Sequence, residues 1–311
     1  MLKNIFTLIF IFPALFIMGL LTGCGGGGGG SSSVPANPFV KWSAITPPET
    51  VVASGISQIT TFPTSTPIPI LLTETTSPVN TTTTASIKYL ADGSIGALTI
   101  TSPQGSISWD EASGDIIDDS SAIVTFYGTN GSAVGQGYAA NAIDPLFNWE
   151  YQTFGGWLVQ DFNSSLGAAA PVSVGSPTAG SAIPTSGSAT FTGVASGMYA
   201  TITGGRIFVT ASDLSVNADF LNRSLALTTS NTSFVPLGNY DTRNLPDIDM
   251  AGTLTYAPAS NSFTGTLITN HGSAGTTTGR FYGPAAEELG GVFTINGGAT
   301  ELYTGAYGAK R

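Results

Sequence analysis

Cysteine and histidine, the side chains most often recruited as nucleophile, base or soft metal ligand, occur once each in these 311 residues. Cys24 closes Leu21-Thr22-Gly23-Cys24, directly after an apolar segment and directly before the glycine run Gly25 to Gly30 and the serines Ser31 to Ser33. A lone thiol between a hydrophobic stretch and a flexible tether is poorly explained by packing or by a disulfide. The arrangement predicts lipid attachment, as in a bacterial lipoprotein. His271 lies in Thr269-Asn270-His271-Gly272-Ser273, which reads as an exposed hairpin loop with a solvated imidazole. A Ser-His-Asp or Cys-His site needs an imidazole, and His271 is the only candidate. Its functional alternatives are a ligand or partner contact, or an axial bond to haem iron, with Met198, Met250 or a tyrosine as second ligand.

The carboxylates offer little more. Asp118-Asp119 and Asp247-Ile248-Asp249 fit neither the EF-hand nor a Gly-Asp repeat, so they read as solvated turn residues. Glu287 and Glu288 are adjacent on a predicted turn, where neighbours point in different directions, and no second acid or base lies close in sequence. Both are expected to face solvent and to serve structure. The glycine run is a tether and no phosphate cradle, because no strand precedes it and no Lys-Ser/Thr follows it. With no metal set and no catalytic constellation legible, the chain reads as a non-catalytic protein that brings no resident cofactor.

Compartment follows from the segment before Cys24. Lys3 is a short basic start, Ile5 to Leu21 is nearly all Ile, Leu, Phe and Met interrupted by Pro13, and Thr22-Gly23 supplies the small residues for cleavage. Residues 1–23 are read as a lipoprotein signal peptide and 24–38 as the lipidated cysteine with its Gly/Ser tether. Acyl chains would hold the cysteine firmly, at about 0.8 kcal/mol per buried methylene. Gly25 stands where an Asp would retain the protein in an inner membrane, so the outer membrane is expected, with the body at the cell surface. Charged residues make up 9% of the chain and the net charge is −10. Losing Lys3 with the signal takes this to −11. Lys and Arg are scattered and adjacent only at Lys310-Arg311, whereas nucleic-acid binding needs clustered positive charge; that class is excluded.

The elements that must carry these residues are strands. Residues 39–187 read as a β-rich domain whose Pro/Thr/Ser-rich start, through about residue 85, is extended and loop-rich, with an occasional strand such as Ile68 to Thr73. Asp92-Gly93 and Asn130-Gly131 mark hairpins. An aromatic strand starts at Asn148, and the Gly/Ala/Ser/Pro-rich stretch from Gly167 to Gly187 reads as a boundary. Residues 188–311 hold about eight strands of roughly six to ten residues punctuated by Gly, Asn, Asp or Pro, the pattern of an antiparallel up-and-down barrel. Thr and Ala alternate with Phe, Leu and Val, which implies one filled face and one solvated face. A transmembrane barrel would show an apolar outer band with aromatic girdles, and here the outward positions are mostly Thr, Ser and Asn. The fold class is therefore all-β.

Several strings carry a resemblance. Gly279-Arg280-Phe281-Tyr282-Gly283-Pro284-Ala285-Ala286-Glu287-Glu288-Leu289-Gly290-Gly291-Val292-Phe293 resembles the signature strand–turn–strand of the transferrin-binding protein B β-barrel domain. Gly305-Ala306-Tyr307-Gly308-Ala309-Lys310-Arg311 is similar to that family's final strand. Val216 to Leu225, with Ala218-Asp219-Phe220 and Asn222, resembles its x-A-D-F-x-N-x-x-L hairpin, and Thr253 to Gly265 the next one. Tyr151, Phe154 and Trp157 resemble an aromatic strand of short, single-lobe members; core packing is expected for the three, with a seam between domains as the alternative. The resemblance implies a surface lipoprotein whose barrel follows a handle domain. It further implies capture of an iron- or haem-carrying protein or solute, a TonB-dependent receptor, and in some members a surface-export translocon. The long charged loops of the transferrin binders are not visible, so a smaller target or haem protein suits this chain better. The loops to watch are Asn239 to Asp249 and Ile268 to Thr276. The rival is an adhesive or structural surface lipoprotein with no iron role.

Overall fold

The computed structural model describes residues 9–10, 41–65, 68–69, 75–130, 133–161, 163, 166–201, 207–234, 243–297 and 301–311. Cys24 and the tether lie outside the described residues.

The N-terminal domain is one sheet. Its strands are β1 (Ile9–Phe10), β2 (Glu49–Ser57), β3 (Thr60–Ser65), β4 (Ile68–Pro69), β5 (Thr75–Thr76), β6 (Asn80–Tyr89) and β7 (Ile95–Ser102). There follow β8 (Gly105–Asp110), β9 (Ile116–Asp118), β10 (Ile123–Asn130), β11 (Ala133–Ala140), β12 (Gln152–Asp161) and β13 (Leu166–Gly175). They lie in the order β1-β8-β7-β6-β2-β13-β12-β11-β10-β9, with β3 also paired to β13. The β6–β7 hairpin turns where Asp92-Gly93 predicts, and β10 pairs with β11 out to Asn130↔Ala133, with Gly131 itself outside the described residues. Two stretches differ from expectation. The Thr-rich segment before residue 85 contributes central strands, since β2 pairs with both β6 and β13. Gly167 to Gly175 is no linker but most of β13. Pro171 is tolerated there because β13 changes partner around it, from β3 (Leu166 to Ala169) to β2 (Val172 to Gly175). Its carbonyl takes the Gln58 N–H at 3.4 Å across that gap, so the missing proline N–H leaves no ladder bond unmade.

The second domain is a closed antiparallel barrel, the architecture expected. It comprises β14 (Ser188–Thr201), β15 (Ile207–Asp219), β16 (Ser224–Phe234), β17 (Met250–Tyr256), β18 (Ser262–Thr269), β19 (Ala274–Tyr282), β20 (Glu288–Asn296) and β21 (Glu301–Lys310). β21 returns to β14 from Thr192↔Lys310 through Thr201↔Glu301, which leaves no open edge. Inward residues fill the lumen. Phe281 is fully buried among Phe263, Tyr256, Phe220 and Phe191, with ring centroids 5.2, 5.4, 6.1 and 6.3 Å away. The alternation of buried and exposed residues holds along β16, β17 and β18. It vanishes in β20, β21, β12 and β13, which are buried almost throughout. The cause is lateral docking of the two domains. Met198, Ala200, Val209, Val292, Leu302 and Ala306 of the barrel join the same apolar cluster as Trp109, Phe154 and Val172.

Up-and-down topology sends every second turn to the same end. The near end carries the turns 220–223, 257–261 and 283–287, and Ile183 of the incoming chain is buried there with the barrel's own cluster. The far end carries the 243–249 segment and the 270–273 turn.

Candidate functional site

Two places concentrate polar groups: the seam between the domains at the near end, and the rim at the far end.

At the seam, Tyr282 ends β19 and Gly283 turns the chain at φ +89°, where a side chain would also strike the Tyr151 ring. Pro284 and Ala285 are exposed. Ala286 adopts φ +61°, so the segment is a pair of tight turns and not the single helical turn predicted for Ala285 to Leu289. Glu287 folds back, its carboxylate accepting from the Ala285 N–H at 2.8 Å. Glu288, expected to face solvent beside it, is the first residue of β20 and is 2% exposed. Its Oε1 accepts from the Glu150 N–H at 2.6 Å, and its Oε2 from the Tyr151 and Gln152 N–H groups, each at 3.0 Å. A carboxylate of the barrel thus caps three consecutive backbone donors of the other domain. Burial pushes the Glu288 carboxyl up to about 7, although all three donors favour the ionised form.

Further bonds run beside it. The Gly283 N–H donates to the Ser176 carbonyl, the Thr178 N–H to the Phe281 carbonyl and the Thr178 hydroxyl to the Gly283 carbonyl, at 2.9, 2.9 and 2.6 Å. Ser173 and Tyr282 share a hydroxyl–hydroxyl bond of 3.0 Å, and Lys310 Nζ donates to the Asn148 carbonyl at 3.1 Å. Gly290 and Gly308 face each other across β20 and β21 and leave the hollow that Gln152 enters. A Cβ on Gly308 would stand 2.2 Å from Gln152 Nε2, and one on Gly290 would stand 2.8 Å from Ser173 Oγ. Phe281, Tyr282, Gly283, Glu288 and Gly290 therefore lie along one interdomain clasp, whereas Gly291 packs against Tyr307 of the barrel itself. Of the aromatic trio, Phe154 and Trp157 belong to the N-terminal core, whereas Tyr151 lies at the seam. Gln152, Ser173 and Thr178 carried no signal in the sequence, because their role arises only when the two sheets meet.

At the far rim, His271 is no free loop residue. Its Nδ1 lies 2.8 Å from the Asp247 carbonyl oxygen, and its Nε2 lies 2.7 Å from Glu301 Oε1 and 3.0 Å from Ser273 Oγ. The Tyr199 hydroxyl donates to the other Glu301 oxygen at 3.0 Å. With both ring nitrogens engaged, an axial bond to haem iron would first have to break this arrangement. Met198 and Met250, the suggested second ligands, are buried at 4% and 1% exposure. Asp249 is also buried, accepting from the N–H and the hydroxyl of Thr232. Asp118 accepts from the Ser120 N–H, as a turn residue does. Among the described residues no three His, Cys, Asp or Glu side chains gather into a metal site. Of the loops singled out in the sequence, residues 239–242 lie outside the described residues.

Comparison with known proteins bears on the barrel. Residues 183–311 match the family model described as the C-lobe and N-lobe beta barrels of Tf-binding protein B. No curated protein matches the chain. Among solved structures, a transferrin binding protein B vaccine antigen from Haemophilus parasuis Hp5 is 14% identical, with 75% of this chain and 54% of that one covered and a TM-score of 0.41. The isotype 1 transferrin binding protein B from serogroup B Neisseria meningitidis is 15% identical, with 75% and 52% covered and a TM-score of 0.39. A protein described as a surface lipoprotein is 15% identical, with 83% and 98% covered and a TM-score of 0.43. The chain spans about half the length of the first of these solved structures. The C-terminal barrel, with its signature turn built into the seam, is thus the part of the chain that is similar to the transferrin-binding protein B barrels.

Proposed function

We propose that this protein is a non-catalytic ligand-binding lipoprotein of the outer-membrane surface, anchored through Cys24, that captures an iron- or haem-carrying protein or solute and hands it to a TonB-dependent receptor. The observation that supports this most is the family match over residues 183–311, whose model is described by the lobes of a protein named for binding transferrin. The geometry is in keeping with it. The clasp at Glu288 fastens the barrel to the N-terminal domain and so fixes the direction in which the far rim points. Firm docking is what a capture protein needs if it is to present a rim in one orientation to ligand and receptor. A smaller iron carrier or a haem protein suits the short described turns better than transferrin itself.

The test is direct binding by biolayer interferometry, with the full-length chain immobilised in detergent and iron-loaded transferrin, haemoglobin and free haem offered in turn. Saturable, submicromolar binding of one of them is expected. Absence of binding to all three would remove the iron role and favour an adhesive or structural surface protein.

A further inference from the structure

The surroundings of His271 are those of a cation. The Asp247 carbonyl oxygen faces Nδ1 and the Glu301 carboxylate faces Nε2, at 2.8 and 2.7 Å, and both are acceptors. A neutral imidazole has one N–H and can serve only one of them, whereas the imidazolium serves both. Ser273, 3.0 Å from Nε2, carries a hydroxyl that adapts to either form. The same turn is stitched by its backbone to the 246–249 segment. The Asn270 N–H donates to the Asp249 carbonyl at 2.8 Å, the His271 N–H to the Asp247 carbonyl at 3.0 Å, and Asn270 Nδ2 to the Pro246 carbonyl at 2.7 Å.

We propose that protonated His271 is a latch that pins the 270–273 turn both to the 246–249 segment and to the start of β21, and that loss of its proton slackens this part of the far rim. The groups facing the ring are Asp247, in a single 3-10 turn over Pro246–Ile248, and Glu301 on β21, with Tyr199 of β14 behind Glu301. Partial burial alone would lower the imidazole's pKa. The hydrogen bonds to Glu301 and to the Asp247 backbone, with the two negative charges, outweigh it and hold the imidazole above its usual 6.5. Burial likewise works against ionisation of Glu301, and bonds from Ser273, His271 and Tyr199 with the imidazolium charge outweigh it and hold the carboxyl below 4.5. The signs agree. The latch is complete below 6.5, is lost as pH rises through the raised histidine value, and is lost again in acid once Glu301 takes a proton. It operates whatever ligand the rim meets.

The chain's single histidine makes the test clean. The full-length protein, prepared without a polyhistidine tag and with its histidine labelled with carbon-13 at Cε1, gives one imidazole signal to titrate by NMR. A midpoint above 6.5 is expected, moving to 6.5 or below in Glu301→Gln. Over the same pH range, amide exchange at Asn270 and His271, corrected for the intrinsic pH dependence, should accelerate several-fold, and it should stay flat in His271→Gln. A wild-type midpoint at or below 6.5, or exchange that ignores the titration, would overturn the proposal. If Glu301→Gln does not fold, those two wild-type readings decide the matter.

Discussion

Replacement of Glu288 by alanine strands the N–H groups of Tyr151 and Gln152, both buried, while the half-buried Glu150 N–H can reach water. A buried donor left without a partner costs about 1–3 kcal/mol. Two of them give about 2–6 kcal/mol, a large share of the 5–15 kcal/mol that holds a typical domain together. The penalty depends on pH with a definite sign. Glu288 is raised from 4.5 to about 7 in the folded protein, so the native state holds its proton more tightly than the unfolded chain. Its contribution to stability is greatest below 4.5 and declines as pH rises to about 7, by at most about 3 kcal/mol at 1.36 kcal/mol per unit. At pH 5.5 the variant should therefore show most of its deficit. At pH 8 removal of a buried charge offsets part of it, and the deficit shrinks. Urea unfolding followed by tryptophan fluorescence and far-UV circular dichroism measures this. All four tryptophans, Trp42, Trp109, Trp149 and Trp157, lie in the N-terminal domain, whereas dichroism sees both domains. The shared core predicts coincident transitions in the wild type. A deficit below about 1 kcal/mol at pH 5.5, or one that grows towards pH 8, would refute the reasoning.

Other substitutions probe the seam, the barrel interior and the N-terminal anchor. Gly308→Ala sets a methyl group against Gln152 in a packed seam and should lower stability by about 1–3 kcal/mol, read from the urea midpoint; an unchanged midpoint would mean the seam is loose. Phe281→Ala empties the middle of the barrel's aromatic cluster and should cost about 3–5 kcal/mol by the same assay. Cys24→Ala should abolish labelling by radioactive palmitate and move the protein out of the detergent phase on Triton X-114 partitioning; unchanged partitioning would contradict lipidation at that position.

Barrel strands such as β16, β17 and β18 were legible because each has one solvated face, so that apolar residues such as Phe263 and Leu267 fall on the other. The elements that misled are those covered on both sides. β13, Leu166–Gly175, is built from small residues because sheets press on it from two directions, and without alternation its composition mimics a linker. The segment before residue 85 is rich in threonine, which suits a strand and a loop alike, and only pairing with β13 distinguishes them. Glu287 and Glu288 look equivalent in sequence. What separates them is that β20 starts at Glu288, which turns that carboxylate toward the 150–152 backbone of a different domain. The His271 arrangement was hidden for a similar reason. Its partners Asp247 and Glu301 are 24 and 30 residues away and meet only where the barrel brings its far turns together.

Iron capture at the cell surface requires that the barrel be reachable from outside the cell and that its abundance respond to iron. Intact cells grown iron-replete and iron-starved are shaved with protease, and released peptides are quantified by mass spectrometry. Peptides from residues 188–311 are expected to be released from whole cells, several-fold more after iron starvation. Equal release in both cultures would contradict the iron-capture role, and no release from intact cells would contradict the surface location.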